Sequence, residues 1–257
     1  MIDDRLRAHR LFLTDVLRKQ ADFSQTDQNK GIPAPPLQKP ADPEATRISL
    51  PGPKEWPSDL GSMQLIEAIA RRKSRRNFSG SELSLEELSF LLWATQGIRQ
   101  MIGRGTALRN VPSAGARHSF ETYIFIRDVE RVPPALYRYL PVEHEIVLVQ
   151  EIADMERSLS RAAYGQQFVG HAAATFVWAC IPYRMEWRYG LTAHRVILMD
   201  VGHVCQNLYL ACESIDAGTC AVAAYDQEEM DKLIGLDGEE EFAIYVAPVG
   251  KRLSSSN

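Results

Sequence analysis

The sequence has few of the features that mark several large classes of protein. Its 257 residues include four cysteines without a CxxC pair, and Lys and Arg are outnumbered by Asp and Glu, which gives a formal net charge of −4. An acidic balance argues against a nucleic-acid-binding protein. The cysteines stand mostly in apolar surroundings, which predicts buried, reduced thiols. What is left is an ordinary globular composition, with 45% hydrophobic residues and enough chain for a sizeable core.

Long hydrophobic runs and a nucleotide-binding glycine motif are also missing. The longest nearly unbroken apolar run, residues 172–181, is too short to span a bilayer. The N-terminus, MIDDRLRAHR, is charged where a signal peptide has an apolar core. Gly103 and Gly105 begin no GxGxxG motif, because Leu108 stands at the third glycine position. We therefore expect a cytoplasmic protein without a membrane segment.

Residues 191–218 carry the strongest periodic signal in the chain. Apolar residues recur there at spacings of three and four, at Ile197, Val201, Val204, Leu208, Ala211 and Ile215. This broad stripe predicts a long helix that packs on more than one side and is stopped by Gly218. Such a helix either forms half of a dimer interface or is an ordinary buried helix of a monomer.

The other periodic segments mix helices and strands without a regular alternation. Residues 3–20 predict an amphipathic helix, and eight of the fourteen prolines lie between positions 33 and 57, which predicts an extended arm on the protein surface. A helix over residues 62–71 should turn Leu65, Ile66 and Ile69 inward. Further helices are expected over residues 84–95, 152–163 and 227–234, a mobile loop over 97–111, and strands over 121–126, 135–139, 145–149, 173–179, 219–225 and 242–248. This order predicts an α+β fold with a central, mostly antiparallel sheet flanked by helices. Residues 1–61 would be a helix and arm, and residues 62–257 the main domain.

The first candidate ligand site is a basic run at residues 71–76, which holds five cations in six positions. If the chain is extended there, Arg72, Ser74, Arg76 and Phe78 share one face. Two guanidiniums and a hydroxyl suit a phosphate, because arginine offers paired donors that match its oxygens. A solvated run that complements the negative end of the preceding helix is an equally good interpretation.

Three other stretches could belong to the same site. Small residues would let the backbone approach a flat ligand closely at two of them. These are Pro112, Ser113, Ala114, Gly115 and Ala116, and the stretch from Gly218 to Ala224, which includes Val222, Ala223 and Ala224. Lys251 and Arg252, after the final strand, could close a phosphate site. A plain loop, a buried strand and a solubilising tail are the respective alternatives. We expect no metal site, because His203 and Cys205 have no further ligands at suitable spacing.

Together these stretches resemble the nitroreductase family of flavoproteins, and within it the SagB/ThcOx branch, which includes azoline oxidases. The family pattern Arg-x-Ser-x-Arg/Lys-x-Phe matches residues 72–78, its PSAG-type loop matches residues 112–115, and its closing PVGK matches residues 248–251. The branch pattern GHxxQNLxL matches residues 202–210. The resemblance covers about residues 62–252.

The resemblance implies an FMN-dependent oxidoreductase that moves hydride or electrons between the flavin and a small organic substrate, with NAD(P)H as a candidate reductant. It also implies a homodimer with one FMN at each end of the interface. The phosphate and ribityl chain would be held by Arg72, Ser74 and Arg76, with Lys251 or Arg252. Residues 112–115 would come from the partner subunit and lie against the ring, and residues 222–224 would present backbone to its N5 edge.

The sequence departs from the resembling branch just before the long helix. Azoline oxidases carry a Lys-Tyr pair there, and this chain has Arg188 and Tyr189, which are therefore the candidate catalytic residues. Arginine is effectively always protonated and is a poor base. Ala116 and His118 also stand where many nitroreductases have Asn and Gln. The alternatives are an azoline dehydrogenase-like enzyme that modifies peptides and a flavin-binding protein without turnover.

Overall fold

The computed structural model describes residues 3–103 and 105–253, and a seven-stranded sheet lies at its centre. In chain order the strands are β1 (Arg47–Ser49), β2 (Ile98–Gly103), β3 (Thr106–Arg109), β4 (Phe120–Ile126), β5 (Ala135–Leu140), β6 (Glu145–Gln150), β7 (Ala174–Cys180), β8 (Ala217–Thr219) and β9 (Phe242–Lys251). The sheet order is β1-β6-β5-β4-β7-β9-β8, and its neighbouring strands pair antiparallel. The predicted α+β fold is confirmed.

Helices cover both faces of this sheet. They are α1 (Asp4–Phe12), α2 (Leu65–Arg71), α3 (Leu85–Gln96), α4 (Met155–Ala162), α5 (Gln167–Gly170), α6 (Tyr183–Tyr189), α7 (Ala193–Glu213) and α8 (Gln227–Ile234). One face of the sheet packs in a single core with α3 and α7, and the other packs with α4 and α8. Strands β4 and β7 are buried along their whole length. Their mostly apolar sequences follow from being covered on both sides.

The long helix exists, but its end differs from the prediction. Helix α7 has 21 residues, which makes it about 32 Å long. It ends at Glu213, and Asp216 takes the left-handed backbone conformation, with φ of 53°. Gly218 is not the stop, because it lies within β8 and its missing side chain leaves room for Arg75.

The inward face predicted for α2 is wrong. Leu65, Ile66 and Ile69 are 65%, 73% and 58% exposed, and Ala68 is the buried residue of this helix. The helix begins after Gln64 rather than at residue 62. Periodicity identifies an apolar face correctly, but it does not tell whether the same chain or another one covers that face.

The segment from residue 26 to residue 60 contacts the rest of the chain through backbone and side-chain hydrogen bonds and through packing. Helix α1 has no buried residue and ends earlier than predicted. Strand β1 pairs with β6, and Trp56 packs edge-on against Phe90 and Trp93. Buried arginines reach the arm as well, since Arg109 donates to the carbonyl of Leu37.

Two other local predictions, the loop over 97–111 and the strand over 219–225, need correction. The predicted loop 97–111 contains the antiparallel pair β2 and β3, with Arg104 outside the described residues. The strand predicted over 219–225 lies earlier, as β8, and Val222 makes an isolated bridge to Val246.

All four cysteines are buried and free, as expected. Among the described residues, none of the helices is both long and apolar enough to cross a membrane.

The ion pair of Arg75 and Glu213 provides a test of this packing. Arg75 donates to both carboxylate oxygens at 2.9 Å, and Glu213 is 2% exposed. Arg75→Ala should lower the free energy of unfolding in urea by about 3 kcal/mol, because it leaves a buried carboxylate short of a partner. Arg161→Ala, which breaks an exposed pair with Glu229, should cost less than about 0.5 kcal/mol. Equal effects would contradict the assigned role of Arg75.

Candidate flavin site

The cationic stretch after α2 runs beside the edge of the sheet. The backbone N–H of Arg75 donates to Thr219 O, and that of Ser79 donates to Lys251 O, both at 2.9 Å. The side chains of Arg75 and Phe78 pack onto Gly218 and Gly250. The prediction that Phe78 shares a face with Arg72 and Ser74 is therefore wrong, because positions 75 and 78 both turn to the sheet and break the alternation.

An open cavity of about 770 Å³ lies over this stretch. Three of the predicted phosphate-binding residues line it, namely Ser74, Arg76 and Arg252. The rest of its lining comes from Arg71, Lys73, Arg75, Asn77, Asp216 and Leu253. The single carboxylate among these residues, Asp216, is paired with Arg252. The cavity is thus strongly cationic, and it has the donors that a phosphate needs.

Two predicted phosphate-binding residues lie outside this lining. The guanidinium of Arg72 stands 5.4 Å from the centre of the Tyr209 ring, a cation–π contact. The ammonium of Lys251 pairs with Glu87 and donates to the carbonyl of Ile215 at 2.9 Å. In this chain Lys251 therefore ties β9 to α3, and Arg252 is the tail cation that faces the cavity.

Tyr209, which the sequence analysis missed, joins two of the predicted stretches. Its hydroxyl lies 2.9 Å from Ser74 Oγ and accepts the backbone N–H of Ala221 at 2.8 Å. Val222 follows, buried and paired with Val246, while Ala223 and Ala224 are exposed. The only signal in the sequence was the place of Tyr209 beside the apolar stripe of α7.

The predicted turn at residues 112–115 and the candidate catalytic pair, Arg188 and Tyr189, meet at Gly115. Gly115 has φ of 57°. A Cβ atom there would lie 2.7 Å from both Arg188 Nε and Tyr189 Oη, so the turn requires glycine for its conformation and its space. Ala114 donates its N–H to Asp200 at 3.1 Å, and Pro112 is exposed at the start of the turn. None of these residues lines the cavity of Ser74 and Arg76.

Polar groups of neighbouring residues hold the turn at Gly115 in place. Ser113 Oγ accepts the N–H of His118 at 3.0 Å. Burial, together with the charges of the neighbouring arginines, lowers the pKa of His118 to about 3. Burial also raises the pKa of Asp200 above its ordinary value. His118 is therefore neutral at physiological pH, and its polar backbone contact, rather than its charge, serves the turn.

The family model described as "Nitroreductase family" matches residues 69–251. The chain belongs to the nitroreductase family. The archaeal protein named "Putative nitroreductase MJ1384", of Methanocaldococcus jannaschii, is 32% identical over 195 residues, which cover 76% of this chain and 94% of that protein. Members of the family are generally flavin-dependent oxidoreductases.

Solved structures of the family share this fold. Two crystal structures, each described as a "putative nitroreductase", superpose with a TM-score of 0.66. The protein from Ralstonia eutropha is 27% identical, with 86% of this chain and 99% of that one covered. The protein from Anabaena variabilis is 24% identical. The match covers 82% of this chain but only 42% of that longer chain. The "E. coli Microcin synthetase McbBCD complex with truncated pro-MccB17 bound" is 18% identical, with a TM-score of 0.59 and coverage of 98% and 93%.

The buried His118 predicts a pH dependence of stability. Its folded pKa is lowered from 6.5 to about 3, so the unfolded chain binds one more proton between these values. The contribution of the neutral, buried imidazole to the free energy of unfolding is fully present above pH 6.5 and is lost as the pH falls toward 3. His118→Asn, which tolerates the positive φ, should lose about 2 kcal/mol less unfolding free energy than the wild type between pH 7 and pH 5. Parallel urea titrations at the two pH values measure this difference, and identical losses would contradict a neutral buried imidazole.

Proposed function

We propose that the protein is an FMN-dependent oxidoreductase that transfers hydride or electrons between FMN and a small organic substrate. The observation that carries this proposal is the junction at Tyr209. One hydroxyl contacts both Ser74, in the cation-lined cavity, and Ala221, within the small-residue stretch. The cavity and this backbone stretch are thus held side by side, which supports a phosphate site next to a surface for a flat ring.

The residues present fit FMN by the chemistry of their donors. Arg76 and Arg252 would bind the phosphate, and Ser74 would donate to the phosphate or the ribityl chain. Arg72 would contribute charge from its position over Tyr209 rather than by direct contact. Arg252 lines the cavity, although it also pairs with Glu213 and Asp216, and Lys251 lies outside the lining. We therefore assign to Arg252 the role that the resemblance left open between them.

Bound FMN supplies the redox chemistry, by accepting and returning electrons singly or as hydride. The protein binds the ring, places its reactive edge against a substrate and tunes its charge. The exposed backbone of Ala223 and Ala224 would face the N5 edge. The turn at Gly115, with Arg188 and Tyr189, would lie against the ring from the partner subunit. NAD(P)H is the proposed reductant, bound only transiently over the flavin, which agrees with the missing dinucleotide motif.

The partner in this proposal is a second copy of the same chain. Helix α2 packs beside α7, and both present large apolar side chains to solvent, Leu65, Ile66 and Ile69 on α2 and Leu198 and Met199 on α7. Large apolar side chains exposed on neighbouring helices are typical of an interface. The homodimer would cover these side chains and bring the Gly115 turn of one chain to the cavity of the other. The four buried thiols support a reducing, cytoplasmic location.

The second candidate is an azoline dehydrogenase-like enzyme that modifies peptides. The microcin synthetase structure is similar over 98% of this chain, which includes most of the residues before position 69 that the family model leaves unmatched. Arginine at position 188 counts against it, because a permanently protonated group cannot take up a substrate proton. A flavin-binding protein without turnover is the third candidate.

Absorbance spectroscopy of purified protein tests the main proposal. Flavin bands that bleach on anaerobic addition of NADPH or NADH would support a reductase. Bands that persist until a peptide azoline is added would favour the second candidate, and persistence with every donor would favour binding without turnover. A colourless protein that cannot be reconstituted with FMN would overturn all three.

The phosphate assignment makes a separate prediction. Arg76→Ala should weaken FMN binding by about 10- to 100-fold, because it removes a charge-assisted hydrogen bond. The exposed Arg157 of α4 is the control, and Arg157→Ala should leave the Kd unchanged. Fluorescence titration of the flavin-free protein with FMN measures both constants. Full FMN affinity in Arg76→Ala would show that the cavity is not the phosphate site.

The dimer assignment is tested on α2. Ile66→Asp places a charge in the proposed interface and should convert a dimer to a monomer with little FMN bound. Val142→Asp changes an apolar side chain that is 47% exposed in the turn after β5, away from α2 and α7, and should stay dimeric. Sedimentation velocity decides between them. A monomeric wild type, or a dimeric Ile66→Asp protein, would contradict the proposed interface.

A further inference from the structure

The N-terminal segment at residues 26–32 lies along α6, although it precedes the part of the chain that the family model matches. The N–H of Gln28 donates to the carbonyl of Trp187, and the indole N–H of Trp187 donates to the carbonyl of Ile32, both at 2.9 Å. Tyr183 donates its hydroxyl hydrogen to Asp27 at 2.7 Å. The segment is therefore held at three points against the helix that carries Arg188.

One side chain of this segment touches the candidate catalytic pair directly. Gln28 Oε1 accepts a hydrogen bond from Arg188 Nη1 at 3.1 Å. Arg188 also lies against Gly115 and over the ring of Tyr189. A neutral amide oxygen orients a guanidinium but does not neutralise its charge. In the described part of the chain, no carboxylate stands within ion-pair distance of Arg188.

The surroundings of Arg188 carry an excess of positive charge. Arg117 stacks over the ring of Trp187 at 4.6 Å, and its hydrogen bonds go to the carbonyls of Arg184 and Gly105. In the buried layer next to these residues, Arg184 and Arg138 both pair with the carboxylate of Glu121. Arg184 Nη1 and Arg109 Nε are buried without an acceptor among the described residues. The carboxylate of Glu121 is thus shared by two guanidiniums, and a local excess of positive charge attracts an oppositely charged ligand.

We propose that Arg188, oriented by Gln28, binds the carboxylate of an organic-acid substrate beside Gly115 and Tyr189. Its planar guanidinium offers paired donors that match a carboxylate, and it is half-buried, so that a ligand reaches it. Gln28 is a positioning residue, and Arg188 is the specificity-determining one. The proposal rests on the proposed function only for the statement that the bound acid reacts at FMN.

Benzoate and its neutral counterpart benzamide are the binding probes. Calorimetric titration of the FMN-loaded protein should show that benzoate binds about 10- to 100-fold more tightly than benzamide. Arg188→Gln should abolish this preference, and Arg188→Lys should retain part of it, because lysine keeps the charge without the paired geometry. Thermal melting confirms that each variant is folded.

Gln28→Glu provides a nearly isosteric second test. It supplies Arg188 with an internal carboxylate that competes with the ligand, so the benzoate preference should fall at least 10-fold while the protein stays folded. The control is Arg195→Gln, which removes a nearby charge that is paired with Asp15 and should keep the preference. The inference is overturned if the wild type does not prefer benzoate, if Arg188→Gln keeps the preference, or if Arg195→Gln loses it equally.

Turnover assays distinguish the carboxylate site from the proposed oxidoreductase function on which it partly rests. With NADPH as donor, the ratio of kcat/KM for 4-nitrobenzoate to that for 4-nitrobenzamide should follow the same order across the variants. If neither compound is reduced while benzoate still binds through Arg188, the proposed reductase activity fails and the carboxylate site stands. If both are reduced with a ratio that Arg188→Gln does not change, the activity stands and the carboxylate site fails.

Discussion

The buried carboxylate of Glu213 is the constraint on which the site depends. It stands at the last turn of α7, where a negative charge faces the negative end of the helix dipole, and it is almost inaccessible to water. A charge in that position requires cationic partners, and Arg75 and Arg252 supply them. The extended stretch and the tail after β9 are thereby drawn to one end of the helix, which turns Ser74, Arg76 and Arg252 into the lining of a common cavity.

The sequence predicts those elements whose signal is local. The stripe of α7 reflects one broad apolar face, the Ser84 and Glu87 capping box marks the start of α3, and β4 and β7 are mostly apolar because both of their faces are buried. Gly218 misled the prediction of the helix end because glycine also serves where two segments approach closely. Here the approach is that of Arg75, and nothing near Gly218 in the sequence marks it.

Contacts between distant segments could not be predicted from local pattern. Tyr209 looks like one more member of an apolar stripe until the fold brings Ser74 and Ala221 to its hydroxyl. The exposed face of α2 shows a related limit, since its apolar period is correct but none of the residues that the structure describes covers it. Charge and residue size marked the cationic stretch and the PSAG-type turn as candidates, and the family resemblance assigned both to one flavin site. The resemblance was silent on Gln28, which lies in a part of the chain that the family model does not reach.

The net charge of the chain and the charge of its sites have opposite signs, and both matter. An overall charge of −4 argues against binding to a polyanion, because a long phosphate backbone samples the average surface. A small anion samples only the few ångströms around it, where screening by salt is incomplete. The cavity over Arg76 and the corner around Arg188 are both locally cationic. If the Gly115 turn of one chain meets the cavity of the other, the flavin phosphate and a substrate carboxylate would occupy two separate cationic surfaces of one site. An acidic protein can then select small anions at both ends of a flavin while its surface repels larger ones.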